Sequence, residues 1–133
     1  MGDEESSLIG VLGMNVHKIR LAGPWMVVDE TGSSRRTRLP VDRLSEQETR
    51  LVRRFGRPGR LDADERVWLV VAGLSGPTGI LLNEVPLELA KSPEGARADV
   101  TDRLVSGNVL EFQWSGGESG GLAGPVWLEC VSC

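Results

Sequence analysis

The sequence predicts an all-β protein, a sandwich or barrel of about eight short antiparallel strands. Three observations carry this. Short apolar runs recur along the chain, many alternating with polar residues, and a period of two places apolar side chains on one face of a strand. Gly, Pro, Asn and Asp separate the runs, and 17 Gly with 7 Pro is denser punctuation than a helical bundle tolerates. Only Val41 to Thr49 reads as a helical turn, with Asp42 as its cap and Glu46 in support.

Residues 1–7 are polar and read as a flexible N-terminus; residues 8–133 are expected to form one β-sandwich domain. Leu8 to Val16 is apolar, with Gly10 and Gly13 inside it, an edge-strand pattern. His17 to Leu21 alternates and puts Ile19 and Leu21 on one face. Gly23-Pro24 breaks the run, Trp25 to Val28 resumes it, and Asp29 to Ser33 is a turn. In Leu51 to Phe55, parity groups Leu51, Arg53 and Phe55, with Val52 and Arg54 opposite. Either the strand bulges, or an inward Arg53 needs a carboxylate partner, because an unpaired buried charge is costly.

Val67, Leu69 and Val71 share one face, and Trp68, Val70 and Ala72 the other. That is the pattern of a central strand covered on both sides. After a loop from Gly73 to Gly79, Ile80 to Leu82 is a strand, and Asn83-Glu84 is a two-residue connection. Val85, Leu87 and Leu89 then complete a hairpin, and Pro86 argues that it lies at an edge. A polar loop follows. Asn108 to Trp114 turns Leu110, Phe112 and Trp114 inward. Ser115 to Gly124 is a glycine-rich loop, and Pro125 to Cys133 is the closing strand, with Val126, Leu128 and Cys130 opposite Trp127, Glu129 and Val131.

With 40% hydrophobic and 26% charged residues, the composition is that of a folded domain. The net charge of −4 is uneven: Arg35 to Arg60 holds nine of the 15 basic residues against three acids, a local charge of +6. The plain reading is a solvated surface whose arginines pair with carboxylates elsewhere. No aromatics interleave with the basic residues, so no nucleic-acid partner is expected. No segment is long enough to span a membrane, and the acidic start is unlike a signal peptide. Met1-Gly2 with Ser6 fits a myristoylation pattern, but three intervening acids oppose anionic lipid. The expectation is a soluble cytoplasmic protein with no membrane partner.

Catalytic chemistry finds little purchase. His17 is the only imidazole, it opens a strand, and no G-x-S-x-G elbow is present. Cys130 and Cys133 cannot complete a four-ligand zinc site with one His. Cys130 reads as a small apolar strand residue and Cys133 as a frayed end. The cluster of Gly116, Gly117, Gly120, Gly121 and Gly124 leads into a strand headed by Pro125, so a hairpin loop is favoured over a phosphate loop. No catalytic residue, metal or cofactor is expected. Trp25, Trp68, Trp114 and Trp127 all lie in strand patterns; each is a core residue or, if exposed, a platform for a sugar ring.

Several segments together carry a resemblance. Arg54-Phe55 followed by Pro58 fits an R-x-F-x-x-P strand end, and Val67 to Gly73 a central apolar strand. Ile80-Leu-Leu-Asn83 fits V-x-L-N-G, with Glu84 where the pattern has Gly. Asp99-Val-Thr-Asp-Arg-Leu104 with Gly107-Asn-Val-Leu110 fits D-[IV]-T-x-x-L-x-x-G-N-x-L. Gly120 to Glu129 fits a G-G-I-x-x-P-V-x-L closing strand, and Gly23-Pro24-Trp25 the G-x-W of an opening strand. In this order the chain resembles the sugar-binding jelly-roll domain of family 2 glycoside hydrolases, within the galactose-binding-like superfamily. The catalytic barrel of those enzymes has no counterpart here, so the resemblance implies a jelly-roll β-sandwich and no enzyme activity.

The functional expectation is therefore a non-catalytic carbohydrate-binding-like module, its ligand a glycan and its ligand-binding residues unassigned. The alternative is a protein-interaction or structural module using the basic Arg35–Arg60 surface or a sheet face. Exposure of tryptophan separates the two: an exposed Trp beside polar loops favours sugar, and four buried Trp favour a partner.

Overall fold

A computed structural model describes residues 15–41, 48–59, 64–77, 79–114 and 120–132. They form β1 (Asn15–Arg20), β2 (Trp25–Asp29), β3 (Ser34–Thr37), β4 (Glu48–Gly56), β5 (Arg66–Val71), β6 (Leu74–Ser75), β7 (Gly79–Leu82), β8 (Val85–Pro86), β9 (Ala90–Ser92), β10 (Gly95–Asp99), β11 (Gly107–Gln113), β12 (Gly121–Leu122) and β13 (Val126–Ser132). One 3₁₀ turn, Thr101–Arg103, stands between β10 and β11. Five strands make one sheet in the order β9-β10-β5-β13-β1, and six make another, β3-β2-β4-β11-β7-β8. A two-stranded piece pairs β12 with β6. Every pairing is antiparallel. The expected all-β sandwich is what the chain forms, divided into more and shorter strands than the sequence pattern resolves.

Alternation does the sorting. Val67, Leu69 and Val71 of β5 and Val126, Leu128 and Cys130 of β13 face Leu51 of β4 and Leu110 and Phe112 of β11 in one buried cluster. Trp25 is fully buried there, 6.0 Å from Phe112 ring to ring. β5 lies at the centre of its sheet, as its two apolar faces predict.

Two turns show how local chemistry sets the strand ends. The Asp29 carboxylate accepts hydrogen bonds from the Thr31 amide and hydroxyl and the Ser33 amide, closing the β2–β3 connection. Asn83 and Glu84 both take positive φ, 53° and 69°, so Leu82 pairs Val85 across a two-residue turn of the primed kind. Asn tolerates that conformation; Glu pays about 1–2 kcal/mol for it.

The only buried polar side chain among the described residues is Asn108. Its amide is saturated: Oδ1 accepts from the Val105 amide (2.9 Å) and Asn83 Nδ2 (3.0 Å), and Nδ2 donates to the Val105 (2.9 Å) and Phe55 (3.3 Å) carbonyls. Asn83 in turn accepts from the Val109 amide and donates to the Arg103 carbonyl. These two amides fasten the β7–β8 turn, the 3₁₀ turn and the ends of β4 and β11 to one another.

Some readings need correction. The polar loop after Leu89 contains the hairpin β9–β10, and Ser34–Thr37 is a strand; both lie at or next to sheet edges with mostly exposed or half-buried side chains, Ala98 being the buried exception, and give no apolar alternation. Val85 is 54% exposed rather than inward; Leu87 is the buried member of that run. The core of the expected helical turn, 42–47, lies outside the described residues; of its ends, Val41 bridges Leu122 and Glu48 and Thr49 open β4. Leu8 to Met14 also lie outside them, so the edge strand is seen only from Asn15.

Two substitutions test this account. Glu84→Gly is expected to raise unfolding stability by about 1 kcal/mol, read by chemical denaturation, since Gly carries no Cβ penalty at positive φ. Asn108→Ala leaves the Val105 amide and carbonyl without partners and is expected to cost about 2–3 kcal/mol in the same measurement.

Candidate functional site

The tryptophans divide two and two. Trp25 and Trp114 belong to the core, their indole N–H groups donating to the Leu21 (2.7 Å) and Ser75 (2.6 Å) carbonyls. Trp68 and Trp127 lie on the outer face of the five-stranded sheet, around Val70. Neither is an open platform. Trp127 is 8% exposed, with the Lys18 ammonium 5.2 Å from its ring, and Trp68 is half-buried with the Arg97 guanidinium at 4.5 Å. The cations already occupy ring faces that a sugar would use.

His17 is exposed on β1, across the ladder from Cys130. Cys130 is a buried free thiol, and burial, then the charge of Glu65, raises its pKa. A thiol so placed is a poor nucleophile. Cys133 lies outside the described residues. No grouping of three or more His, Cys, Asp or Glu suited to a metal occurs among the described residues.

The glycine cluster serves packing where it is described. A Cβ on Gly120 would fall 2.1 Å from the Trp114 ring, and one on Gly124 2.5 Å from the Ala72 carbonyl oxygen. Residues 115–119, the middle of the expected hairpin loop, lie outside the described set.

The basic segment pairs only in part. Arg35 meets Glu48 at 2.7 Å, and Arg50 reaches Glu111 at 3.8 Å. Arg53 does neither. Its register against β11 runs unbroken from Arg50 to Gly56, so no bulge turns it away. Its Nη1 donates to the Arg54 carbonyl, its Nε is shielded without an acceptor, and no described carboxylate pairs with it. Burial alone pulls its pKa below the usual guanidinium value. The expected carboxylate partner is thus not found among the described residues, and the charge instead borders two concavities.

The first is a cleft of about 490 Å³ between the two sheets, at the edge where β4 runs on past the start of β2 and faces the edge strand β1. Ile19, Leu21, Phe55 and Leu128 supply its apolar lining. Its charged lining is Arg20, Arg53, Arg54 and Arg57, with no acid among the described residues. The second is a depression of about 640 Å³ on the outer face of the six-stranded sheet. There a cross-strand row runs Arg36, Met26, Val52, Glu111, Leu81, apolar at its centre and flanked by charge. Parity in the sequence foretold Arg53; that β4 outruns β2 could not be read from it.

The Asp99-Val-Thr motif, by contrast, is structural. The Asp99 carboxylate accepts from the Thr101 amide (3.0 Å) and hydroxyl (2.6 Å), and Arg66 donates to it at 3.0 Å. Thr101 Oγ1 accepts from the Val67 amide at 2.7 Å, so the turn is tied to the central strand.

No protein-family model and no curated protein matches this chain. Among solved structures it is similar to an FMN-binding β-glucuronidase from Facaelibacterium prausnitzii L2-6, with a TM-score of 0.64 and 23% identity over 86% of the chain. The chain spans 22% of that enzyme, so the likeness is to a part of it and is one of fold. No helix among the described residues is long and apolar enough to cross a membrane.

Burial raises the Asp99 carboxyl, but the Thr101 hydrogen bonds and Arg66 outweigh it, and the net pKa lies below the ordinary value. Its stabilisation is therefore complete above the unfolded-state pKa and drains away as pH falls through the lower folded-state value. Asp99→Asn is expected to flatten that acid limb in denaturation curves recorded at a series of low pH values.

Proposed function

We propose that this chain is a non-catalytic carbohydrate-binding-like β-sandwich module. The observation that carries the reading is the fold likeness, over 86% of the chain, to part of an enzyme that acts on glycosides. The ordered motifs of the sugar-binding jelly-roll domain of family 2 glycoside hydrolases agree with it. The module would hold its ligand in the arginine-bordered cleft rather than on a tryptophan platform, since Trp68 and Trp127 are already covered by Arg97 and Lys18.

A second reading has its own support: three tryptophans are buried and the fourth, Trp68, is half-buried, which is closer to the pattern expected of a partner-binding module. The partly exposed row of Met26, Val52 and Leu81, interrupted by Glu111 and with Arg36 at its edge, would suit a protein partner with apolar contacts and complementary charges. In this reading the same sandwich is an interaction module.

A glycan-array screen, with titration of the Arg54 and Phe55 backbone amide resonances by each hit, separates them. A saturable shift with one sugar class is the expected outcome. Silence across the array from folded protein would favour the interaction module, and Met26→Asp, Val52→Asp or Leu81→Asp would then be expected to abolish co-elution with its partner.

A further inference from the structure

We propose that the inter-sheet cleft beside Arg53 is a carboxylate-binding site for a small organic acid with an apolar body. The inference goes beyond the glycan reading and stands without it.

The first support is an imbalance. Arg53 sits on the same side of β4 as Leu51, which is fully buried, and Phe55, which packs on the core. A guanidinium carries five N–H donors and cannot shed its charge. Here one donor is spent on the Arg54 carbonyl, and Nε is shielded with no acceptor. Arg53 is half-buried, and shielding part of a charge from water without a partner is unfavourable. None of the carboxylates among the described residues meets this demand, although Glu48, Glu111, Asp99 and Asp102 serve Arg35, Arg50 and Arg66 close by in sequence or sheet.

The second is the lining of the space. Arg20, Arg54 and Arg57 are exposed around the same cleft, so the field inside it is positive from several sides and attracts an anion. Ile19, Leu21 and Leu128 belong to the facing sheet and give the remaining wall no polar side chain. A ligand that satisfies both halves has a negative head and an apolar body. The head is a carboxylate rather than a phosphate, for two reasons. The planar carboxylate matches the two-pronged edge of one guanidinium. A doubly charged, fully hydrated phosphate would lose more solvation against an apolar wall than one shielded arginine returns.

The test uses the full chain, isotope-labelled, with the Arg53 Nε–H resonance and the backbone amides of Arg54 and Phe55 as reporters. Hexanoate and glucuronate are titrated separately, with inorganic phosphate and glucose as comparisons. A saturable shift at Arg53 Nε–H with hexanoate is expected; a shift with glucuronate as well marks the carboxylate as the shared determinant, and a shift with glucuronate alone would overturn the proposal. Arg53→Met is expected to weaken binding by about ten- to a hundredfold, the loss that goes with a charged hydrogen bond. It should not lower the melting temperature, because it removes a shielded charge without a partner. Arg53→Lys, which keeps the charge but not the fork, is expected to weaken binding less and serves if the Met variant fails to fold. No shift with either acid, a shift with phosphate only, or carboxylate binding that both variants leave intact would overturn the proposal. Loss of hexanoate binding in Arg53→Met with glycan binding intact would uphold this proposal and place any glycan elsewhere; a glycan that binds while hexanoate does not would overturn it and leave the module reading in place.

Discussion

Two side-chain amides hold this sandwich in register. Asn108 is buried with its four hydrogen-bonding positions filled, and Asn83 stands against it at 3.0 Å. Between them they take up backbone groups from Phe55, Arg103, Val105 and Val109. These are the groups that strand ends and tight turns leave unpaired, and burying them without partners would be expensive. Once the pair is closed, β11 has a fixed start between β4 and β7, and the alternation of Leu110, Phe112 and Trp114 can point only into the core. A one-residue slip would reverse every one of those faces.

A second polar knot lies in the other sheet. Thr101 binds the central strand through the Val67 amide, and Asp99 holds Thr101 while Arg66 holds Asp99. The motif that carries most of the sequence resemblance, Asp-Val-Thr followed by Gly-Asn, is thus spent on architecture. The polar atoms of Asp99 and Thr101 face backbone, one another and Arg66. A short polar motif inside an all-β chain needs its hydrogen bonds counted before it is assigned chemistry.

The surfaces that remain available are shaped by where strands end. β2 starts opposite Arg53, so the last residues of β4 have β11 on one side and open space on the other. That overhang makes the cleft beside β1, where Arg53 meets no carboxylate of the described residues. On the opposite faces, cations lie across Trp68 and Trp127, and Arg50 leans toward Glu111. Long side chains thus cover apolar surface on the outer sheets while keeping their charge in water.

The sequence by itself determined the fold class, the inward and outward faces of the long strands, the turn at Asn83-Glu84 and the edge position of Pro86. All of these follow from period-two alternation and from residues with narrow backbone preferences, which act locally. It also raised the problem of Arg53, because parity put a charge among apolar residues. Tertiary structure decided the rest. The β9–β10 hairpin and β3 form on exposed edges, where no apolar pattern marks them; backbone pairing with an existing sheet suffices. Whether a tryptophan is covered depends on which cation the neighbouring strand brings, as Arg97 of β10 does for Trp68 of β5. Whether Arg53 meets a carboxylate depends on strand overhang and on the approach of β1, contacts between residues more than 30 positions apart. Side-chain parity is written in the chain; the partners a side chain meets across a sheet or a cleft are set only when the sheets close on one another.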